Sequence, residues 1–182
     1  MIRACGPSDF ETVYQIINDA AQAYKGLIPD DCWKEPYMPA KELRQEIAAG
    51  VRFVGHEEDG ELIGIMGFQD VQDVTLIRHA YVRTAHQNRG TGGRLLSHLV
   101  EQAAQPLLIG TWAAADWAIR FYQNRGFQLV SSGQKDLLLH KYWSVPPRQI
   151  ETSLVLAHQT WFDSVNLRVA AKSPDFFDTA KQ

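Results

Sequence analysis

The run from Val74 to Val100 constrains the fold more than any other. "VTLIRHAYVR", rich in β-branched and aromatic residues, leads into "TAHQNRGTGG", and that loop passes directly into the apolar helical pattern "RLLSHLV". Leu95, Leu96, Leu99, Val100 and Ala103 fall on one face of this helix, which needs a sheet to cover. A strand, a glycine loop and a covering helix in sequence belong to a layered α/β domain.

The flanking segments extend this layout. Ile2 to Cys5 reads as a short strand, and Ser8 with Glu11 as a capping box ahead of Phe10, Val13, Tyr14, Ile17, Ala21 and Tyr24 at helical spacing. After the loop "KGLIPDDCWKEPYMP" comes a second helix, "AKELRQEIAAG", closed by Gly50. Val51 to His56, Glu61 to Phe68 and Val74 to Arg83 form an expected antiparallel meander.

Beyond the glycine loop, Pro106 to Trp112 reads as a buried strand, and Ala115 to Asn124 as a helix stopped at Gly126. "FQLVSS" and "QIETSLVLAH" read as two final strands, with Gly133 to Arg148 between them holding a helical turn, "KDLLLHKYW", and a Pro-Pro break. Gln159 to Gln182 has no clear pattern. The expected order is β-α-α-β-β-β-α-β-α-β-β, and 182 residues without a linker or repeat suit one domain with a mixed sheet.

A helix that opens on glycines leaves backbone N–H groups free at its start, where the helix dipole favours negative charge. Gly90, Gly92 and Gly93 let a ligand approach the backbone, and Arg89 and Arg94 are candidate cations. The loop suits a phosphate or pyrophosphate; the plainer alternative is a tight strand-to-helix turn. A Walker A loop would need G-K-[ST] where Arg94 and Leu95 stand, and a G-x-G-x-x-G fingerprint would need a small residue at Leu95, so both fail. The balance of 18 Lys and Arg against 21 Asp and Glu gives −3, which argues against nucleic acid or an anionic membrane as partner.

What fits is Q-x-x-G-x-G at Gln87, Gly90 and Gly92 after the strand "HAYVR", followed by "WAIRFYQNRGF", in which Ala118, Tyr122, Gly126 and Phe127 fill an A-x-x-x-Y-x-x-x-G-F arrangement. Together they resemble the two signatures of the GNAT superfamily of acetyl-CoA-dependent N-acetyltransferases. The resemblance spans Ile2 to His158, so residues 1–158 are the expected transferase domain and 159–182 an extension. "RQIETSLVL" beside "YWSVPPRQ" resembles a bacterial group within that superfamily. The implied fold is a mostly antiparallel mixed sheet of about seven strands, with helices on both faces and a splay between the fourth and fifth strands.

The resemblance also implies site roles. Gln87, Asn88, Arg89, Gly90, Thr91, Gly92 and Gly93 would hold the coenzyme's pyrophosphate, and Tyr81, Val82 and Arg83 its pantetheine arm through strand backbone. The thioester would lie near Ala80, and Tyr122 would be the general acid that protonates the departing thiolate; its alternative is a packing role beside Phe121. His79 titrates in the range of a base for the incoming amine. By strand alternation His79 and Arg78 point to opposite faces, and a structural histidine remains the alternative. Ala115 stands where the family often has a coenzyme-touching asparagine, and Gly110 where acetylases of protein amino termini often carry glutamate.

The expected acceptor is a small-molecule amine. The helix-to-helix loop, with Trp33, Tyr37, Asp30, Asp31 and Glu35, is a candidate wall, and Trp112 faces either the acceptor or the core. Protein lysine acetylation, a non-catalytic acyl-CoA sensor and a nucleotide-binding protein are the other readings. No metal motif is present, and Cys5 and Cys32 read as reduced thiols. With no leader pattern or long apolar run, a cytoplasmic protein is expected. "SLVLAH" is a candidate edge strand for a homodimer.

Overall fold

In the computed structural model, which describes residues 1–171, two-residue turns fold the middle of the chain into the expected meander. β1 (Ile2–Ala4) pairs with β2 (Arg52–Glu58), β2 with β3 (Glu61–Val71), and β3 with β4 (Val74–Val82), all antiparallel. Asp59 and Gly60 turn the first hairpin at φ 52° and 82°. Two left-handed central residues match the right-handed twist of the strands they join.

Four helices flank this half of the molecule and its neighbour. α1 (Phe10–Ala20) runs on into a 3-10 turn at Ala21–Tyr24, and α2 (Ala40–Ala48) ends at Gly50 with φ 105°. α3 (Thr91–Gln102) follows the glycine loop, and α4 (Asp116–Gln123) follows β5 (Leu107–Trp112). β6 (Phe127–Leu129), α5 (Ser132–Tyr142), α6 (Pro147–Glu151), β7 (Ser153–His158) and α7 (Gln159–Ala171) complete the order. The seven strands lie in one sheet, β1-β2-β3-β4-β5-β7-β6.

Strand alternation sorts the core into layers. Val54, Met66, Ile77, Ile109 and Leu156 point to one face and pack with Leu95, Leu96 and Leu99 of α3 and Tyr122 of α4. On the other face Phe53 and Ile65 meet Val13, Ile16 and Ile17 of α1 and Leu43 of α2, while Leu76, Leu108 and Ala157 meet Leu138 and Leu139 of α5. Helices therefore cover both faces, as the resemblance implied.

The splay is equally plain. β4 and β5, the parallel pair, are in register only at Thr75 with Leu107, Leu76 with Leu108 and Ile77 with Ile109. Past these residues β4 runs on to Val82, paired only with β3, and β5 to Trp112, paired only with β7. β4 also carries a bulge: Gly67 pairs with Arg78 but Ile65 with Tyr81, leaving an extra residue on β4, and His79 takes φ 48°. A side chain at Gly67 would not fit, because its Cβ would lie 2.9 Å from the Arg78 carbonyl oxygen and 3.0 Å from the Phe53 ring.

Several expected boundaries are corrected. Pro7–Asp9 form a 3-10 turn, so Ser8 lies before the start of α1, and Asp9 rather than a Ser8–Glu11 box accepts the Gly6 N–H at 2.8 Å while pairing with Arg3 at 2.9 Å. The helical turn expected after Gly133 is the full helix α5, because Ser131 and Gln134 form a reciprocal capping box. This shortens the "FQLVSS" strand to Phe127–Leu129. Pro147 begins α6 and shortens the last strand to Ser153–His158, which lies between β5 and β6 and is not an edge. The first part of the segment without pattern forms α7, whose Trp161 is buried against the α5 layer; residues 172–182 lie outside the described residues.

Gly67→Ala is expected to destabilise the fold by about 1–3 kcal/mol, the usual effect of forcing a methyl into filled space. Urea unfolding measures this, and an unchanged midpoint would mean that the bulge does not depend on glycine.

Candidate active site

The gap between β4 and β5 opens into a cleft of about 940 Å³ that reaches from the start of α3 to the inner side of α5. At its α3 end, Asn88 and Gly90 take φ 60° and 82°, turning the chain so that the helix begins at Thr91. The first helical hydrogen bond runs from Arg94 N–H to Gly90 carbonyl at 3.0 Å. The N–H groups of Thr91, Gly92 and Gly93 consequently have no acceptor among the described residues. Thr91 Oγ1 is likewise buried and unpartnered.

These amides are approached by Arg125, a residue that sequence reasoning passed over. Its guanidinium lies 4.0 Å from the centre of the Phe121 ring, and a Cβ at Gly93 would stand 3.0 Å from its Nη2. Gly92 would place a Cβ 3.4 Å from the Phe121 ring, so α3 and α4 meet in direct contact at these two glycines and a side chain larger than a methyl would press on Phe121 or Arg125. Free amides, bare glycine backbone and a guanidinium make a cradle suited to an anion of phosphate size.

Most of the expected site residues line the cleft: His79, Tyr81, Val82, Gln87, Asn88, Gly90, Thr91, Gly92, Gly93 and Tyr122. Arg83 and Arg89 are not among its lining. Arg83 is turned onto β3, with its N–H on the Ile63 carbonyl at 2.9 Å and its Nε on the Leu62 carbonyl at 3.0 Å. Arg94 donates to the Arg89 carbonyl at 3.4 Å.

Tyr122 is 7% exposed and packs edge-on against Phe121 and Phe127, with ring centres 5.0 and 6.0 Å away. Burial pushes its phenol well above the ordinary tyrosine value, so it stays protonated at neutral pH. The packing role is therefore real, and it coexists with a place in the cleft lining. Tyr81, Tyr24 and Tyr37 stand opposite, each also raised chiefly by burial.

The bulge overturns the simple alternation expected at Arg78 and His79. The extra residue brings both side chains to Glu46 of α2: Arg78 Nη2 lies 3.2 Å from one carboxylate oxygen, and His79 Nε2 shares a short hydrogen bond with the other. Burial pushes Glu46 up, but the hydrogen bond and charge of His79, with Arg78 and Lys34 behind them, outweigh it and hold the carboxyl below its usual range. A histidine at the cleft wall thus has a fixed ring and an anionic partner.

The remaining wall is aromatic. Trp112 Nε1 donates to Tyr37 Oη at 2.9 Å, and Tyr37 stacks at 5.8 Å on Tyr24, which stacks at 5.4 Å on Trp117 of α4. Of the loop residues expected there, Tyr37 lines the cleft and Trp33 packs behind it at 5.6 Å. Asp31 and Glu35 instead pair outward with Arg148 at 2.9 Å and Lys25 at 3.1 Å, and Asp30 lies outside the lining. Ala115 is fully buried beside Trp112.

A model of the acetyltransferase (GNAT) family matches residues 10–127. Among solved structures, the PaiA N-acetyltransferase of Thermoplasma acidophilum in complex with coenzyme A is 16% identical with a TM-score of 0.64, covering 87% of this chain and 97% of that one. A ribosomal-protein-alanine N-acetyltransferase of Brucella melitensis is 20% identical with a TM-score of 0.57, covering 72% and 86%. A second protein of that organism, a GNAT family acetyltransferase in complex with acetyl-CoA, is 20% identical with a TM-score of 0.52, covering 70% and 82%. At these identities the likeness establishes the fold. No helix among the described residues is long and apolar enough to cross a membrane.

The Glu46 pairing predicts a pH dependence. A carboxyl held below its unfolded value of about 4.3 contributes stability that is complete above that pH and is lost as pH falls through the lower folded value. Glu46→Gln should therefore flatten the acid limb of a stability profile in urea; a limb unchanged by the substitution would show that the pairing contributes nothing.

Proposed function

The chain belongs to the GNAT acetyltransferase family, and from that premise we propose that it moves an acetyl group from acetyl-CoA to the primary amine of a small molecule, with Tyr122 as general acid. The observation that carries this reading is that one gap in the sheet joins the amide cradle of α3, the Tyr122 phenol and the Glu46-held His79. Residues 1–158 make up the transferase unit in this reading, with 159–182 appended.

Acetyl-CoA supplies a thioester whose carbonyl carbon forms the new C–N bond and whose sulfur leaves with the electron pair of the C–S bond. The N–H groups of Thr91, Gly92 and Gly93 hold the pyrophosphate, with Gln87 and Asn88 beside them, and Arg125 neutralises its charge. Beyond Ile77 the β5-facing edge of β4 is unpaired, which leaves Tyr81 and Val82 backbone for the amide groups of the pantetheine arm. His79 takes a proton from the amine nitrogen, and Glu46 stabilises the imidazolium so formed. Tyr122 gives its proton to the leaving sulfur. An acceptor that arrives as ammonium gives its first proton to His79, which passes it to solvent, and the second proton, shed by the nitrogen as the amide forms, restores the Tyr122 phenol.

Tyr122→Phe keeps the ring and removes only the proton donor. It should lower kcat by about 100-fold, within the usual range for losing a general acid, while the Kd for CoA changes by less than about twofold. Full turnover in this variant would refute the assignment. Gly92→Val should weaken CoA binding by at least about tenfold by pushing α3 from α4 and shielding its amides, as calorimetry would detect. Tight CoA binding without turnover of any amine would instead identify an acyl-CoA sensor.

A further inference from the structure

The side of the gap opposite the glycine loop has a chemistry that selects its occupant, and we infer that the acceptor is a primary amine carrying a flat aromatic ring on a short tether. The inference rests on the acetyl-transfer reading and adds to it the class of acceptor. On that side the cleft is bounded by Tyr37, Trp112, Leu139, Trp143 and Val145. None of the residues lining the cleft is an aspartate or glutamate, whereas Arg78, Arg120 and Arg125 line it.

Three acidic side chains of the surrounding segments are already paired. Asp31 pairs with Arg148, Glu35 with Lys25, and Glu46 is divided between Arg78 and His79. A polyamine, an aminoglycoside or a lysine-rich peptide would bring extra ammonium groups into a site whose lining holds no carboxylate. Burying a charge without a partner is strongly unfavourable. A monoamine brings one charge, and the reaction removes it at His79.

The aromatic wall is set before any ligand arrives. Gly110 has no side chain, which lets the Trp143 indole lie against β5: a Cβ at Gly110 would stand 3.3 Å from that ring. The indole thus lies over β5 at Gly110, and the strand carries no acidic residue. Trp112 is fixed through its hydrogen bond to Tyr37, and Tyr37 through its contacts with Tyr24 and Trp33. Rings held in place offer stacking and edge contacts with little ordering cost, and an entering ammonium gains from the ring faces it passes.

Thiol release from acetyl-CoA should be measured with tryptamine, 2-phenylethylamine, hexylamine, spermidine, an aminoglycoside and a lysine peptide, alongside calorimetry of CoA and of each amine into CoA-loaded protein. The two aromatic amines are expected to exceed the others by at least about tenfold in kcat/KM, the discrimination a shaped apolar site provides. Trp143→Leu, which keeps an apolar side chain, should raise KM for tryptamine by about tenfold with kcat and CoA affinity little changed, and Trp143→Phe should restore most of the loss. Equal or better turnover of hexylamine, spermidine, the aminoglycoside or the peptide overturns the acceptor class and leaves acetyl transfer standing. CoA uptake with neither binding nor turnover of the aromatic amines overturns it as well. Failure to take up CoA removes both.

Discussion

The parallel hydrogen bonding of β4 and β5 stops at Ile77 and Ile109, and the architecture of the site follows from that interruption. A sheet that stayed paired to Val82 and Trp112 would separate its two helical layers completely. Because it parts, backbone on β4 is left without a partner, and side chains from opposite faces meet in one cleft. Tyr122 reaches it from the α4 side, and Tyr37, Trp112 and Trp143 from the other. Unpaired strand backbone must be satisfied by something, which makes the gap a natural place for a ligand rich in amides.

The bulge in β4 is a second consequence of local backbone geometry. Gly67 permits the close approach of the Arg78 carbonyl, the extra residue at His79 adopts a left-handed conformation, and the two side chains that alternation would send apart converge on one carboxylate. Glu46 thereby does two things at once. It joins α2 to the middle of the sheet, and it holds an imidazole at the wall of the cleft.

The layered fold, the glycine loop and the helical position of Tyr122 could be read from the sequence because each depends on residues close together in the chain. Glu46 could not, since its partners come from β4, and only a glycine inside the β3 pattern hinted that the alternation would break there. Arg125 was missed for a similar reason: it follows α4 in sequence, and only the packing of α4 on Gly92 and Gly93 brings it to the start of α3. α5 was understated because its three leucines are consecutive and Leu137 is exposed, so the segment lacks helical periodicity; its readable signal was the box at Ser131 and Gln134. The position of β7 between β5 and β6 depends on non-local pairing, to which edge or interior character in a six-residue apolar run gives no clue.

Amide NMR during titration with CoA tests the central claim most directly. If the opening turn of α3 clasps the pyrophosphate, the N–H resonances of Thr91, Gly92 and Gly93 should show the largest downfield shifts in the chain, with those along Tyr81 and Val82 changing next. Binding that leaves these three resonances in place and perturbs amides elsewhere would contradict the account.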